Sequence, residues 1–160
     1  MPNPRHAAER AAMLDACREM NRLGINQGTS GNISVRVPGG FLVTPTGVPY
    51  DSLRPEMMVE MDARGRHEGK VRPSSEWRFH RDILASRSDA GAVVHCHAMF
   101  ATTLAIARLE IPAIHYMIAA AGGPSIRCAP YATYGTQELS DNALAALEGR
   151  RACLLANHGM

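Results

Sequence analysis

The sequence predicts a single α/β domain, with a central, largely antiparallel or mixed β-sheet and helices on both sides. Three observations lead there. Short apolar runs of strand length occur at 33–37, 41–44, 92–97 and 153–156. Stretches that read as helices, at 5–23, 76–87 and 136–147, are interspersed among them. Several successive runs are joined by tight Gly/Pro/Asn links, too short for the crossover that a strict βαβ repeat requires. With 160 residues the chain fits one domain, 1–160, large enough for its own core.

The elements follow from local chemistry. In 5–23, Ala8, Ala12, Leu14, Cys17, Met20 and Leu23 roughly follow helical spacing, and Gly24 is a natural stop. A glycine-rich turn, 27–32, leads to two strands at 33–37 and 41–44, linked by Pro38-Gly39-Gly40 as a hairpin. A turn at 44–47, a short strand at 59–61 and a polar loop at 62–69 come next. Ser74-Ser75 reads as the cap of a helix over 76–87. The strand 92–97 runs into an alanine-rich helix ending near Leu109; 111–121 is apolar and of mixed type, broken by Gly122-Gly123-Pro124. A strand at 126–129, a helix at 136–147 and a strand at 153–156 complete the chain.

Composition narrows the function. The net charge is +2 and no dense Lys/Arg block is present, so bulk nucleic-acid binding gains no support. No apolar run approaches the length of a membrane span, and the N-terminus lacks the apolar core of a secretory signal. Cys17, Cys96, Cys128 and Cys153 form no CxxC pair and read as free thiols of a cytoplasmic protein.

The chemistry concentrates in histidines. His95 and His97 stand at i and i+2 of a predicted strand, so both rings face one side, with Cys96 facing the other way. His158 ends a second apolar run. Three imidazoles from neighbouring strands form an open zinc site, with a position left for water or substrate. The alternative for the HxH pair is two satisfied polar residues in a strand. His6, His67, His80 and His115 lack a partner spacing and read as non-ligands, and Trp77 and Phe79 read as packing residues.

Small polar residues gather at 28–32, at Thr46-Gly47 and at Ser74-Ser75. Each alone reads as a turn or a cap. Together they offer hydroxyls and backbone N–H groups for a phosphate, aided at Ser74-Ser75 by a helix N-terminus. Glu76 follows directly. Its carboxylate is either a residue favoured by the helix dipole or, if phosphate and metal share a pocket, a general base.

In this order the motifs NQGTSGNIS (26–34), TPTGVPY (44–50), PSSEWRFH (73–80), VVHCHA (93–98), IPAIHYMIAAAGG (111–123), CAPYATYGT (128–136) and NHG (157–159) resemble the class II aldolase/adducin family over essentially the whole chain. IPAIHYMIAAAGG with PSSEWRFH points to the members that act on fuculose phosphate. The resemblance implies a lyase that reversibly cleaves L-fuculose 1-phosphate to dihydroxyacetone phosphate and L-lactaldehyde through a zinc-stabilised enediolate. It implies one Zn²⁺ per subunit on His95, His97 and His158, Glu76 as acid/base, and Thr29, Asn32, Thr46, Gly47, Ser74 and Ser75 as the phosphate grip. It further implies a homotetramer with active sites at subunit interfaces, where Tyr116 reaches the aldehyde end of a neighbour's site. The sole lysine, Lys70, lies in a polar loop, which argues against a Schiff-base mechanism.

Two departures stand out. The family normally continues well past the last histidine, with helices and a tyrosine of the aldehyde pocket, so the chain reads as shortened at its C-terminus. Tyr134 stands where a phenylalanine is expected, adding a hydroxyl near the aldehyde side. Sister enzymes acting on other sugar phosphates (a 4-epimerase, a decarboxylase, a dehydratase) and a non-catalytic adducin-like assembly protein are the alternatives. No aspartate occurs between Asp89 and Asp141, which weighs against the epimerase, and retention of Glu76 with all three histidines weighs against the assembly protein.

Overall fold

A computed structural model describes residues 5–160. Helix α1 (Ala7–Arg22) ends as the sequence predicts. Gly24 takes φ 70°, its N–H donates to Asn21 O, and the Ile25 N–H donates to Met20 O. These two bonds satisfy the last carbonyls of the helix in a Schellman arrangement, and the left-handed φ is why glycine stands there.

Strands β1 (Asn32–Val37) and β2 (Gly40–Val43) form an antiparallel hairpin, closed by Pro38 and by Gly39 at φ 86°. Strand β3 (Val59–Asp62) pairs with β2, after a 3-10 turn at Pro55–Met57, and β4 (Ala92–His95) pairs with β1. The main sheet therefore has the order β3-β2-β1-β4 and is antiparallel throughout. Helix α2 (Trp77–Ser86) precedes β4, and α3 (Met99–Ile106) follows it. A 3-10 segment, Tyr116–Ala121, lies between α3 and β5 (Cys128–Ala129). Helix α4 (Gln137–Ala146) leads to β6 (Leu154–Leu155), which pairs in parallel with β5. The expected mixed character thus comes from two sheets of different kind.

Alternation along the strands divides the core. Ile33, Val37 and Leu42 point to one face and pack with Met13, Leu14, Cys17 and Met20 of α1. Phe41, Val43 and Met61 point to the other and pack with Leu84 of α2. Each fully buried side chain of this size contributes about 1.5–3 kcal/mol. Helix α4 packs beside α2 through Leu139 and Ala143 against Phe79 and Ile83. The helices therefore cover both faces of the sheet.

Three local expectations are corrected. The strand carrying the HxH pair ends at His95, so His97 lies in the extended link before α3. The reason is visible in the backbone: Cys96 leaves the β1 ladder and instead exchanges two hydrogen bonds with Met160, at 3.0 and 3.1 Å. The expected helix 76–87 begins at Trp77; Ser74 Oγ accepts the Glu76 N–H at 3.2 Å, closing a turn ahead of the helix rather than capping it. The helix expected to run to Leu109 stops at Ile106, where Arg108 adopts φ 57°.

Candidate active site

The site forms where β4, the N-terminal end of α2 and the turn after β6 meet. Strand β6 turns back at once: Leu155 and Gly159 pair across a turn in which Asn157 takes φ 56°. Asparagine tolerates this region better than most residues. The turn is anchored to α3, because the Asn157 N–H donates to Ala105 O and its side-chain amide donates to Ile106 O. Gly159 is required by close approach: a Cβ there would lie 2.7 Å from Cys96 O and 3.0 Å from His97 Cδ2. Gly31 is required on the other side, where a Cβ would lie 2.7 Å from His95 O. The buried Tyr50 hydroxyl donates to Gly31 O at 2.6 Å and fixes that approach.

These constraints bring His95, His97 and His158 together, with ligand nitrogens all within 4.8 Å of one another. Their rings are mutually steep, at 76°, 72° and 81°, with centroids 4.8–5.1 Å apart. Nε2 of His95 and Nε2 of His97 are 3.0 Å apart, close to the separation of about 3.3 Å that two imidazole ligands take on tetrahedral zinc. The His95 Nδ1–H donates to the Met160 backbone oxygen at 2.8 Å, which leaves Nε2 unprotonated and facing the other rings. Burial pushes His95 and His158 down to about 4, and lowers His97 as well. All three rings are therefore neutral near pH 7, the form that binds metal.

Glu76 closes the group. Its Oε2 lies 3.3 Å from His95 Nε2 and its Oε1 lies 3.3 Å from His158 Nε2. The carboxylate is buried, and burial raises its pKa against the lowering influence of His158, of the Asn32 hydrogen bond and of His97. Oε1 is buried without a hydrogen-bond partner among the described residues. A cation held by the three nitrogens would satisfy that orphan oxygen, so the donor set fits a divalent metal.

The small polar residues are only partly gathered. Ser30 and Ser75 line a cavity of about 350 Å³ together with Glu76, His97, Tyr131, Tyr134 and His158. The segments that carry Thr46 and Ser74 pair antiparallel through a bridge between Pro45 and Pro73, in which the Thr46 N–H donates to Arg72 O and the Ser74 N–H donates to Thr44 O, so the two residues flank the bridge from opposite ends. Gly47 is exposed next to Thr46, at φ 69°, and Thr29 is exposed on the loop before Ser30. The Asn32 side chain is engaged elsewhere: Nδ2 donates to Glu76 Oε2 at 2.9 Å, and Oδ1 accepts from His80 Nε2. Tyr116 is 80% exposed and does not line the cavity.

His80 is the residue that spacing among histidines did not reveal. It is fully buried and bonds both Asn32 and Ser34. A signal existed: His80 stands four residues after Glu76, hence on the same side of the helix start.

The comparisons with known proteins agree with this geometry. Residues 11–160 match the family described as Class II Aldolase and Adducin N-terminal domain. The chain is 57% identical over 148 residues to the L-fuculose phosphate aldolase of Escherichia coli K12, covering 92% of this chain and 69% of that protein. It is 56% identical over 160 residues to the 5-methylthioribulose-1-phosphate/5-deoxyribulose-1-phosphate aldolase of Rhodospirillum rubrum, spanning 72% of that protein. Among solved structures, an L-fuculose 1-phosphate aldolase superposes with a TM-score of 0.93 at 40% identity, covering 99% of this chain and 76% of that one. The chain belongs to the class II aldolase and adducin family, and within it to the aldolases, which are metal-dependent lyases. The assembly-protein alternative is thereby set aside.

Proposed function

We propose that this chain cleaves L-fuculose 1-phosphate reversibly to dihydroxyacetone phosphate and L-lactaldehyde, with one Zn²⁺ per subunit held by His95, His97 and His158. The observation that carries this reading is the buried Glu76 carboxylate, set 3.3 Å from two of three converging imidazole nitrogens. When bound, the cation supplies Lewis-acid polarisation of the substrate carbonyl.

The chain's own residues do the rest. In cleavage, the C4 hydroxyl proton passes to water as the C3–C4 bond breaks, and C3 then gains a proton to give dihydroxyacetone phosphate. Glu76 delivers the proton to C3, and takes it in the reverse direction; a buried carboxyl with a raised pKa suits both tasks. Ser75, Ser74, Thr46, Gly47 and Thr29 grip the phosphate around the N-terminal end of α2, fixing C3 beside Glu76. Asn32, with its amide N–H on Glu76 Oε2, orients the carboxylate rather than gripping the phosphate.

Tyr116 handles the aldehyde end of a neighbouring subunit's site in a homotetramer. In support, Phe100, Ile114 and Tyr116 are at least 77% exposed, an unusual amount of large apolar surface for an isolated chain. Unpaired Cys17, Cys96, Cys128 and Cys153 fit a cytoplasmic setting, and none of the described helices is long and apolar enough to cross a membrane.

A second substrate is favoured by the likeness to the Rhodospirillum rubrum enzyme: 5-deoxyribulose 1-phosphate, or its methylthio analogue. These ketose 1-phosphates share the dihydroxyacetone phosphate half and differ in the aldehyde, which would meet Tyr131 and Tyr134 in the cavity. Side-by-side kcat/KM values decide between them. A higher value for L-fuculose 1-phosphate supports the first reading, and a higher value for the deoxypentulose assigns the second.

A further inference from the structure

A chain of buried hydrogen bonds runs from the sheet to the carboxylate of the site. The Ser34 hydroxyl, on β1, lies 2.7 Å from His80 Nδ1, on α2. His80 Nε2 bonds Asn32 Oδ1, and Asn32 Nδ2 donates to Glu76 Oε2 at 2.9 Å. All four residues are buried.

The donors and acceptors can be assigned by elimination. The Asn32 amide turns its N–H₂ toward Glu76, so its oxygen faces His80 and can only accept. His80 must then carry its proton on Nε2. Its Nδ1 is left with a lone pair and accepts the Ser34 hydroxyl proton. Burial pushes His80 down to about 3, so the ring holds one proton, not two. Reversing any one link would set oxygen against oxygen at Glu76, or the ring's lone pair against the Asn32 oxygen.

We propose that His80 is a positioning residue: acting through Asn32, it holds the amide N–H toward Glu76 and so fixes the carboxylate between His95 and His158. This rests on the reading of Glu76 as the acid/base. Packing between α2 and β1 would need only an apolar side chain; a ring bonded through both nitrogens, in a line that ends on the carboxylate, orients as well as fills. His80 touches neither the cavity nor the three ligand rings by hydrogen bond, so its influence on turnover passes through Asn32.

The test compares His80→Phe, His80→Gln, Asn32→Ala and the Asn32→Ala/His80→Phe pair with the parent, all zinc-loaded, measuring kcat, KM and zinc content. His80→Phe should lower kcat by about 10- to 100-fold, the range for outer partners of a metal site, with KM and zinc content little changed. His80→Gln, whose amide N–H₂ can replace Nε2–H, should recover most of the loss. The double variant should lose no more than the worse single variant, because both changes cut one path. A rise in KM with kcat held, no recovery with Gln, or additive losses would each overturn the proposal. If His80→Phe does not fold, Ser34→Ala decides: freeing the ring to take the wrong tautomer should lower kcat severalfold, and an unchanged kcat overturns the proposal. Glu76→Gln is run beside them. Full activity in that variant defeats the acid/base reading itself, whereas its loss with an unaffected His80 series defeats only the positioning role.

Discussion

Glu76 Oε1 lies 3.3 Å from His158 Nε2, although 82 positions separate the two residues in sequence. Burial alone would make this carboxyl costly, and an orphan oxygen beside a metal-competent ring gives the burial a purpose. Glu76→Gln keeps the size and removes the carboxylate proposed to transfer the proton. It should keep zinc and fold while lowering dihydroxyacetone phosphate release by about 10²- to 10⁴-fold. Turnover near the parent rate would show that the base lies elsewhere.

On the proposed reading, the three histidines hold the metal as a unit. His95→Ala or His158→Ala should lose bound metal and turnover together, as read by elemental analysis and a coupled assay on the same sample. Stoichiometric zinc retained in either variant would remove that histidine from the ligand set.

Two glycines allow the close backbone approaches around His95 and His97. Gly159→Ala forces a Cβ against Cys96 O, and Gly31→Ala forces one against His95 O. Each should destabilise the chain by about 1–3 kcal/mol. Each should also weaken metal binding, because the displaced backbone belongs to a ligand residue or its neighbour. Parent-like denaturation midpoints and metal affinity would contradict the close packing described here.

Acid should weaken the metal-free fold. Burial pushes His80 down to about 3, and His95 and His158 down to about 4, from an unfolded value of 6.5. With the folded pKa lower, the unfolded chain binds more protons between those values. The stabilisation from keeping each ring neutral is complete above pH 6.5 and is lost as pH falls toward 4 and then 3. Each ring steepens the decline by up to about 1.4 kcal/mol per pH unit. Urea denaturation of chelated protein at pH 7 and pH 5 should show the drop, shallower in His80→Gln. Equal stability at both pH values would contradict the burial of these rings as neutral groups.

Much of this was legible in the sequence because it rests on local chemistry. The apolar period marked α1, Gly24 stopped it, and Pro38-Gly39 turned the hairpin. The histidine triad was legible as ligand types on neighbouring apolar runs. What stayed hidden depends on long-range pairing. The departure of Cys96 toward Met160 moved His97 off the strand, and no local propensity encodes that. The path from Ser34 to Glu76 needed β1 and α2 to be packed face to face before His80 could be distinguished from a core histidine.

The most direct test of the account is dihydroxyacetone phosphate release from L-fuculose 1-phosphate, with and without chelator, followed by added Zn²⁺. The chelator should abolish release and Zn²⁺ should restore it. Release that persists in fully metal-free protein would contradict the role given to His95, His97 and His158. No release from zinc-loaded, folded protein would contradict the assigned substrate.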